Sequence, residues 1–65
     1  MVQKVTEVVG TSKDGFAHAA QNAVETAAKT VRNLRGFRVT ELEGEIKEQK
    51  IAAYHATVRI YFELD

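Results

Sequence analysis

Three carboxylates alternate along one stretch of the chain, at Glu41, Glu43 and Glu45. Residues two apart in a β-strand share a face, so these side chains project together if the stretch is a strand. Such a row can gather a hard cation such as calcium, which prefers several oxygen ligands. The interpretation that we favour is a solvated face, or one matched by Lys and Arg side chains of a neighbouring molecule.

Histidine is the second residue type that could do chemistry here. His55 lies in an alternating stretch near the end of the chain. Its imidazole can contact a ligand or change its charge near neutral pH. No carboxylate partner for it is identifiable in the sequence. Two interpretations of His55 therefore stay open, a functional role and none. We expect His18, the other histidine, to be exposed on a helix.

The groups that covalent catalysis needs are scarce. The sequence has no cysteine and no glycine-rich phosphate-binding loop, and Ser12 lies where a helix is predicted to begin. Arg59 and Glu63 are interpreted as ion-pair partners at an interface rather than as catalytic groups. An enzyme is therefore not expected.

Length and composition favour one small domain that assembles with copies of itself. The chain has 65 residues, nine Lys and Arg against nine Asp and Glu, and no cysteine. A single domain over residues 1–65 has a marginal core, and oligomerisation is the usual support that remains without disulfides or thiolate zinc sites.

The balanced charge does not indicate a nucleic-acid partner, and no stretch is apolar enough to span a membrane. No signal-peptide pattern opens the chain, and we expect a cytoplasmic protein.

Four elements are predicted to position these groups. They are a strand over Val2–Val9, a helix over about Lys13–Arg35, a strand over Phe37–Ile46 and a strand over Ala52–Leu64. Small and apolar residues recur at steps of three and four and make one stripe on the helix; they are Phe16, Ala20, Ala23, Ala27, Val31 and Leu34. Thr11 or Ser12 is predicted to cap the start of the helix, and basic residues load its last turns. Gly10 is predicted to end the first strand.

The last strand is too long for the domain that carries it. Every second residue from Ala52 to Leu64 is apolar, which is typical of a half-buried strand. At about 3.3 Å per residue the run spans roughly 40 Å, whereas a compact chain of this size is about 28 Å across. The strand therefore either curls or continues into an assembly.

The order β-α-β-β predicts an α+β fold with a three-stranded antiparallel sheet. Placing the last strand in the middle makes every pairing antiparallel and leaves room for the helical crossover. The helix then covers the apolar face of that strand. Phe37 and Val39 share one phase of the second strand, and Leu42 and Ile46 share the other, which predicts either a bulge between them or a strand that is covered on both sides in different stretches. The polar residues 47–50 are predicted to connect the last two strands.

The sequence resembles the dodecin family over nearly its whole length. The resemblance rests on the Val-Val-Gly-Thr-Ser opening at Val8–Ser12, on the alanine-rich helix after it, and on three later blocks. These blocks are Val31–Leu34, Phe37–Val39 and the closing Tyr54, Val58 and Phe62–Leu64. It implies a β-α-β-β subunit and a hollow homododecamer. It also implies a non-enzymatic protein that binds and stores flavins such as riboflavin or FMN.

The chain departs from the family where a flavin is usually held. The resemblance implies a stacking tryptophan at the start of the second strand, where this chain has Gly36, and a glutamine where it has His55. The frequent basic residue before the second-strand glycine is here Glu43. Gly36 is interpreted as a helix C-cap or as a changed ligand position, and Phe37 as core, as interface or as a replacement ring. We therefore expect weak flavin binding. The alternative is a flavin-free shell that has a structural role or that binds a divalent cation such as calcium or another cofactor.

Overall fold

The computed structural model describes residues 2–64 and contains the four predicted elements in the predicted order. These are β1 (Gln3–Ser12), α1 (Phe16–Ala28), β2 (Leu34–Lys47) and β3 (Lys50–Glu63). The three strands form one antiparallel sheet in the order β1-β3-β2. The α+β fold with the third strand in the middle is therefore confirmed.

The core lies between α1 and the middle of β3. Three alanines of the helix and three residues of the strand are buried in it; they are Ala19, Ala23, Ala27, Ala56, Val58 and Ile60. The buried strand residues belong to the alternating apolar set, so α1 covers the predicted face of β3. Because the fully buried residues of the helix are all alanines, the helix lies close to the sheet and the core is thin.

The first strand is longer than the sequence predicts, because Gly10 does not end it. β1 continues to Ser12, and Gly10 pairs with Ala56 in the middle of the sheet. A Cβ atom at Gly10 would overlap the carbonyl oxygen of Ala19 and lie 2.8 Å from the backbone nitrogen of Ala23. The glycine is therefore the point at which α1 approaches the strand most closely.

The helix is shorter than predicted at both ends. Its N-cap is Gly15 and carries no side-chain hydrogen bond, so the expected Thr11 or Ser12 cap is wrong. The Ser12 hydroxyl instead accepts the N–H of Asp14 (2.9 Å) and closes a turn ahead of the helix. Because Ser12 is still paired in β1, the helix cannot begin until the chain has turned away from the sheet.

The C-terminal end of the predicted helix belongs to the sheet. The helix ends at Ala28 with Lys29 as its C-cap, so the C-cap assigned to Gly36 is wrong, as is the prediction that basic residues fill the last turns. Asn33, with φ of 62°, reverses the chain direction, and its carbonyl accepts the N–H of Glu63. Pairing with β3 satisfies backbone groups at the end of that strand, and a longer helix would leave them without partners.

The predicted bulge in β2 is present. The register shifts between Val39 and Glu41, so Thr40 is the extra residue. Paired residues of neighbouring strands share a face, and Val39 pairs with Val58 while Leu42 pairs with Ala56. The bulge therefore returns Leu42 to the helix side of the sheet, where it continues the row of Phe37 and Val39.

The molecule is elongated, as the long last strand predicts. Its principal extents are 49, 19 and 13 Å. The hairpin between β2 and β3 turns tightly at Glu48 and Gln49, both with positive φ, which is the geometry of a two-residue type I′ turn. No helix among the described residues is long and apolar enough to cross a membrane.

Substituting Gly10 by alanine should destabilise the fold by about 1–3 kcal/mol, because the new methyl group overlaps the helix backbone. Gly36→Ala is the matched control, since its Cβ would make only an ordinary contact of 3.9 Å with Tyr61. Urea unfolding followed by circular dichroism measures both. Equal midpoints for the two variants would contradict the close approach at Gly10.

Candidate ligand site

The sheet face turned away from α1, here called the outer face, carries the polar side chains of β3. They are His55, Thr57, Arg59, Tyr61 and Glu63. Since α1 packs on the opposite face, these side chains have only the neighbouring strands beside them. The predicted ligand position His55 therefore lies on the outer face.

His55 is held from both sides by its neighbours in the sheet. Its Nδ1 lies 2.9 Å from the Thr11 hydroxyl on β1, and its Nε2 lies 2.8 Å from a carboxylate oxygen of Glu45 on β2. A carboxylate accepts, so Nε2 carries the proton, and in the neutral ring Nδ1 accepts from Thr11. One hydrogen-bonded line therefore crosses all three strands and fixes the ring.

Sequence reasoning missed this arrangement, because it found no carboxylate partner for His55. The register supplies the missing signal: His55 pairs with Glu43, and Glu45 lies one outer-face position further along β2. Diagonal neighbours of this kind are within reach of long side chains. The hairpin connection sets that register, and the sequence around it carries no strong turn signal.

Gly36 lies on β2 opposite Tyr61, on the outer face. A Cβ built on it would meet only the edge of the Tyr61 ring, at 3.9 Å. The position therefore has room for a larger side chain and presents backbone instead. Gly36 has no aromatic ring on which a ligand could stack, whereas the resemblance implies a tryptophan at this position.

Gly36 and His55 are far apart within one chain. Gly36 pairs with Tyr61, six residues along β3 from His55, which corresponds to about 20 Å. A flavin ring system is only about half that length. A ligand that touches both positions must therefore take one of them from a second copy.

Phe37 does not join these two positions. It pairs with Ile60 on the helix side of the sheet, where 58% of it is exposed. There it lines an apolar groove of about 420 Å³ between α1 and β2, together with Ala17, Ala20, Gln21, Val24 and Val39. The ring is not in the core of the chain, and it cannot stack on a ligand that lies over Gly36.

The three candidate metal ligands do share the outer face. Glu41, Glu43 and Glu45 pair with Thr57, His55 and Ala53, so the predicted row exists. Glu45 is engaged by His55. Among residues 2–64, no three His, Asp or Glu side chains come together in a way that could hold a metal ion. Within residues 2–64, the row of Glu41, Glu43 and Glu45 is therefore not a complete calcium site in one chain.

The polar contacts of two further residues, Glu63 and His18, were not foreseen. Glu63, expected at an interface, forms an ion pair with Arg35 of its own chain at 2.9 Å. His18 is exposed as predicted, yet its Nδ1 lies 2.8 Å from the Ser12 hydroxyl and 3.6 Å from Asp14. Both contacts join the ends of elements, which are the positions that sequence patterns define least well.

Comparison with known proteins gives one consistent result. A sequence profile of the dodecin family matches residues 2–65. The dodecin of Thermus thermophilus is 39% identical over 64 residues, which are 98% of this chain and 93% of that protein. The solved dodecin from Streptomyces davaonensis superimposes with a TM-score of 0.95 at 36% identity, covering 98% of this chain and 94% of that one. The calcium-chelating dodecin of Mycobacterium tuberculosis, described as having a novel calcium-binding site, has a TM-score of 0.86 at 30% identity and covers 100% and 93%.

The hydrogen-bonded line through His55 should be visible in its tautomer. In nitrogen-15 NMR spectra at neutral pH, the neutral ring of His55 should be protonated at Nε2, because Glu45 accepts from that atom. Glu45→Ala should shift the ring toward a mixture of tautomers, whereas Glu48→Ala, at the hairpin turn, should leave it unchanged. Protonation at Nδ1 in the unaltered protein would contradict the arrangement.

Proposed function

We propose, since the chain belongs to the dodecin family, that it is a non-enzymatic cytoplasmic module that holds a small aromatic ligand between subunits of a hollow homododecamer. By family default the ligand is a flavin such as riboflavin or FMN. One observation carries the proposal: Gly36 and His55 share the outer face at a separation of about 20 Å. A ligand that uses both positions therefore lies between two copies.

The same positions support a weak affinity for flavin. Gly36 provides no ring, and Phe37 lies on the other side of the sheet. By analogy with bases on aromatic side chains, a lost stacking contact is worth about 1–3 kcal/mol, or roughly tenfold to a hundredfold in affinity. The two ring nitrogens of His55 are also engaged by Thr11 and Glu45. A ligand must compete with those side chains for the imidazole.

Assembly is supported by the apolar surface that one chain leaves uncovered. Large apolar side chains are exposed along β2 and at the start of β3, among them Phe37, Leu42, Ile46 and Ile51. Ile46 is 72% exposed. They lie beyond the end of α1 or beside it, and residues 2–64 leave more than half of each one exposed. Contiguous apolar surface of this kind marks interaction sites.

Among residues 2–64, the grouping of Ser12, His18 and Asp14 resembles a Ser-His-Asp catalytic triad only superficially. Ser12 and Asp14 both approach Nδ1 of His18, at 2.8 and 3.6 Å. A triad needs its serine and its carboxylate on opposite ring nitrogens, so that one nitrogen takes the serine proton while the other is oriented. The Ser12 hydroxyl also accepts the N–H of Asp14, which makes it a turn residue.

The alternative function is a flavin-free shell that binds calcium. The similarity to a calcium-chelating dodecin favours it, and Glu41 and Glu43 are the carboxylates of the outer-face row that no ion pair within residues 2–64 engages. A cation held by them would need further oxygen ligands from another copy, because calcium takes six to eight. Calorimetric titration with calcium chloride distinguishes this shell from a flavin-binding one.

Light scattering after size-exclusion chromatography should give a particle close to twelve times the 7.2 kDa chain mass, because the exposed apolar surface needs partners. Ile46→Lys should lower the mass of the particle, since it places a charge in that surface. Lys13→Ala is the control and should not. A stable monomer of the unaltered protein would contradict the assembly.

Titration of riboflavin with the protein should quench the flavin fluorescence only weakly. The double substitution Gly36→Trp with His55→Gln should tighten binding by roughly tenfold to a hundredfold, because it supplies a stacking ring and an amide. Phe37→Leu is the matched control and should leave the affinity unchanged, since Phe37 faces the helix side. Tight quenching that is lost in Phe37→Leu would show that the site has been placed on the wrong face.

A further inference from the structure

The imidazole of His55 has no hydrogen-bond donor left for a ligand. Its Nε2 donates to Glu45 at 2.8 Å, and its Nδ1, at 2.9 Å from the Thr11 hydroxyl, accepts in the neutral ring. The side chain is only 27% exposed. A ligand that needs a donor from His55 must therefore displace Glu45, which leaves a carboxylate without its partner.

The carboxylates beside His55, in contrast, keep unused acceptor oxygens. Glu43 is the direct cross-strand partner of His55 on β2, with the two Cβ atoms about 5 Å apart. Within residues 2–64 no ion pair or side-chain hydrogen bond engages Glu43. Glu45 contacts the ring through Oε2 alone, and half of its side chain is exposed. The groups with free capacity on this side of the imidazole therefore accept and do not donate.

An apolar side chain lies across β3 from these carboxylates. Val9 of β1 pairs with Thr57, the next outer-face position after His55, and is 62% exposed. Because β1 and β2 each lie about 4.8 Å from β3, side chains on the two flanking strands are about 10 Å apart. A fused heteroaromatic ring can bridge that width, with its body on the apolar side and one edge at the carboxylates. Small-molecule sites commonly combine apolar surface with a few orienting polar groups in this way.

We propose that Glu43 and Glu45 set the class of the ligand, and that the His55 end of the site takes a planar ring whose edge carries two adjacent N–H donors. Pterin and guanine have such an edge. Two parallel N–H groups match the two oxygens of one carboxylate. The inference rests on the proposed function, since it names the kind of ring held at one of its two positions.

A carboxylate can discriminate between rings of equal size because it only accepts. The edge of a flavin places a single N–H between two carbonyl oxygens. At Glu43 those carbonyl oxygens would face carboxylate oxygens, and neither side could supply a proton. Acceptors that are desolvated without a donor cost binding free energy, so the same residues that favour a pterin-like edge disfavour a flavin.

Fluorescence titration of pterin and of lumazine with the assembled protein tests the proposal. The two compounds share one ring skeleton, but lumazine has a carbonyl oxygen where pterin has its amino group, and it therefore presents the flavin type of edge. EDTA in the buffer keeps divalent cations off the carboxylates. Pterin should bind roughly tenfold more tightly or better, because hydrogen bonds to a charged group are about twice as strong as neutral ones.

Glu43→Gln should abolish the preference for pterin, because the amide supplies a donor that a carbonyl oxygen can accept. Glu48→Gln is the matched control; it makes the same change of charge at the hairpin turn and should keep the preference.

Equal affinities of the unaltered protein for the two rings, or tighter binding of lumazine, would overturn the inference and leave the aromatic ligand of the proposed function in place. A preference that survives Glu43→Gln would overturn the role of that carboxylate. If neither ring binds and riboflavin does not bind either, the proposed function fails as well.

Discussion

The close approach of α1 to the sheet is the constraint on which the rest of the structure depends. Gly10 and the alanines Ala19 and Ala23 permit it. A helix of 13 residues spans about 20 Å, whereas a strand of 14 residues spans about 46 Å. The helix therefore covers only the middle of β3, and the hairpin end of the sheet projects beyond it with its apolar side chains uncovered.

That mismatch gives the two faces of the sheet different roles. The helix side of β2 and β3 is apolar along its whole length, because the bulge at Thr40 keeps Leu42 in the row of Val39. The outer face of β3 carries charged and hydrogen-bonding groups instead. Within one chain α1 covers the helix side only in part, whereas polar side chains of the neighbouring strands engage His55 and Glu63 on the outer face.

Much of the fold could be predicted because it follows from periodicity. Strict alternation in β3, the small-residue stripe of α1 and the phase change in β2 indicated the strand order, most of the core and the bulge. The stripe omitted the buried Ala19 and included Phe16, which is 38% exposed. Residues 29–36 could not be assigned in this way. Val31 and Leu34 continue the helical stripe, yet Leu34 pairs with Phe62, because long-range pairing overrides local helix preference. The same limit applies to the site, since the contact between His55 and Glu45 depends on a register that no local signal fixes.

The differences at Gly36 and His55 are best understood together with the charges around them. The resemblance implies an aromatic ring where this chain has Gly36, and a glycine there removes a stacking contact. The imidazole of His55 is held by Thr11 and Glu45, and Arg35, next to Gly36, forms an ion pair with Glu63. Polar groups beside both positions are therefore engaged within one chain. A ligand that used these groups would compete with contacts that the fold already makes, because the same side chains form them.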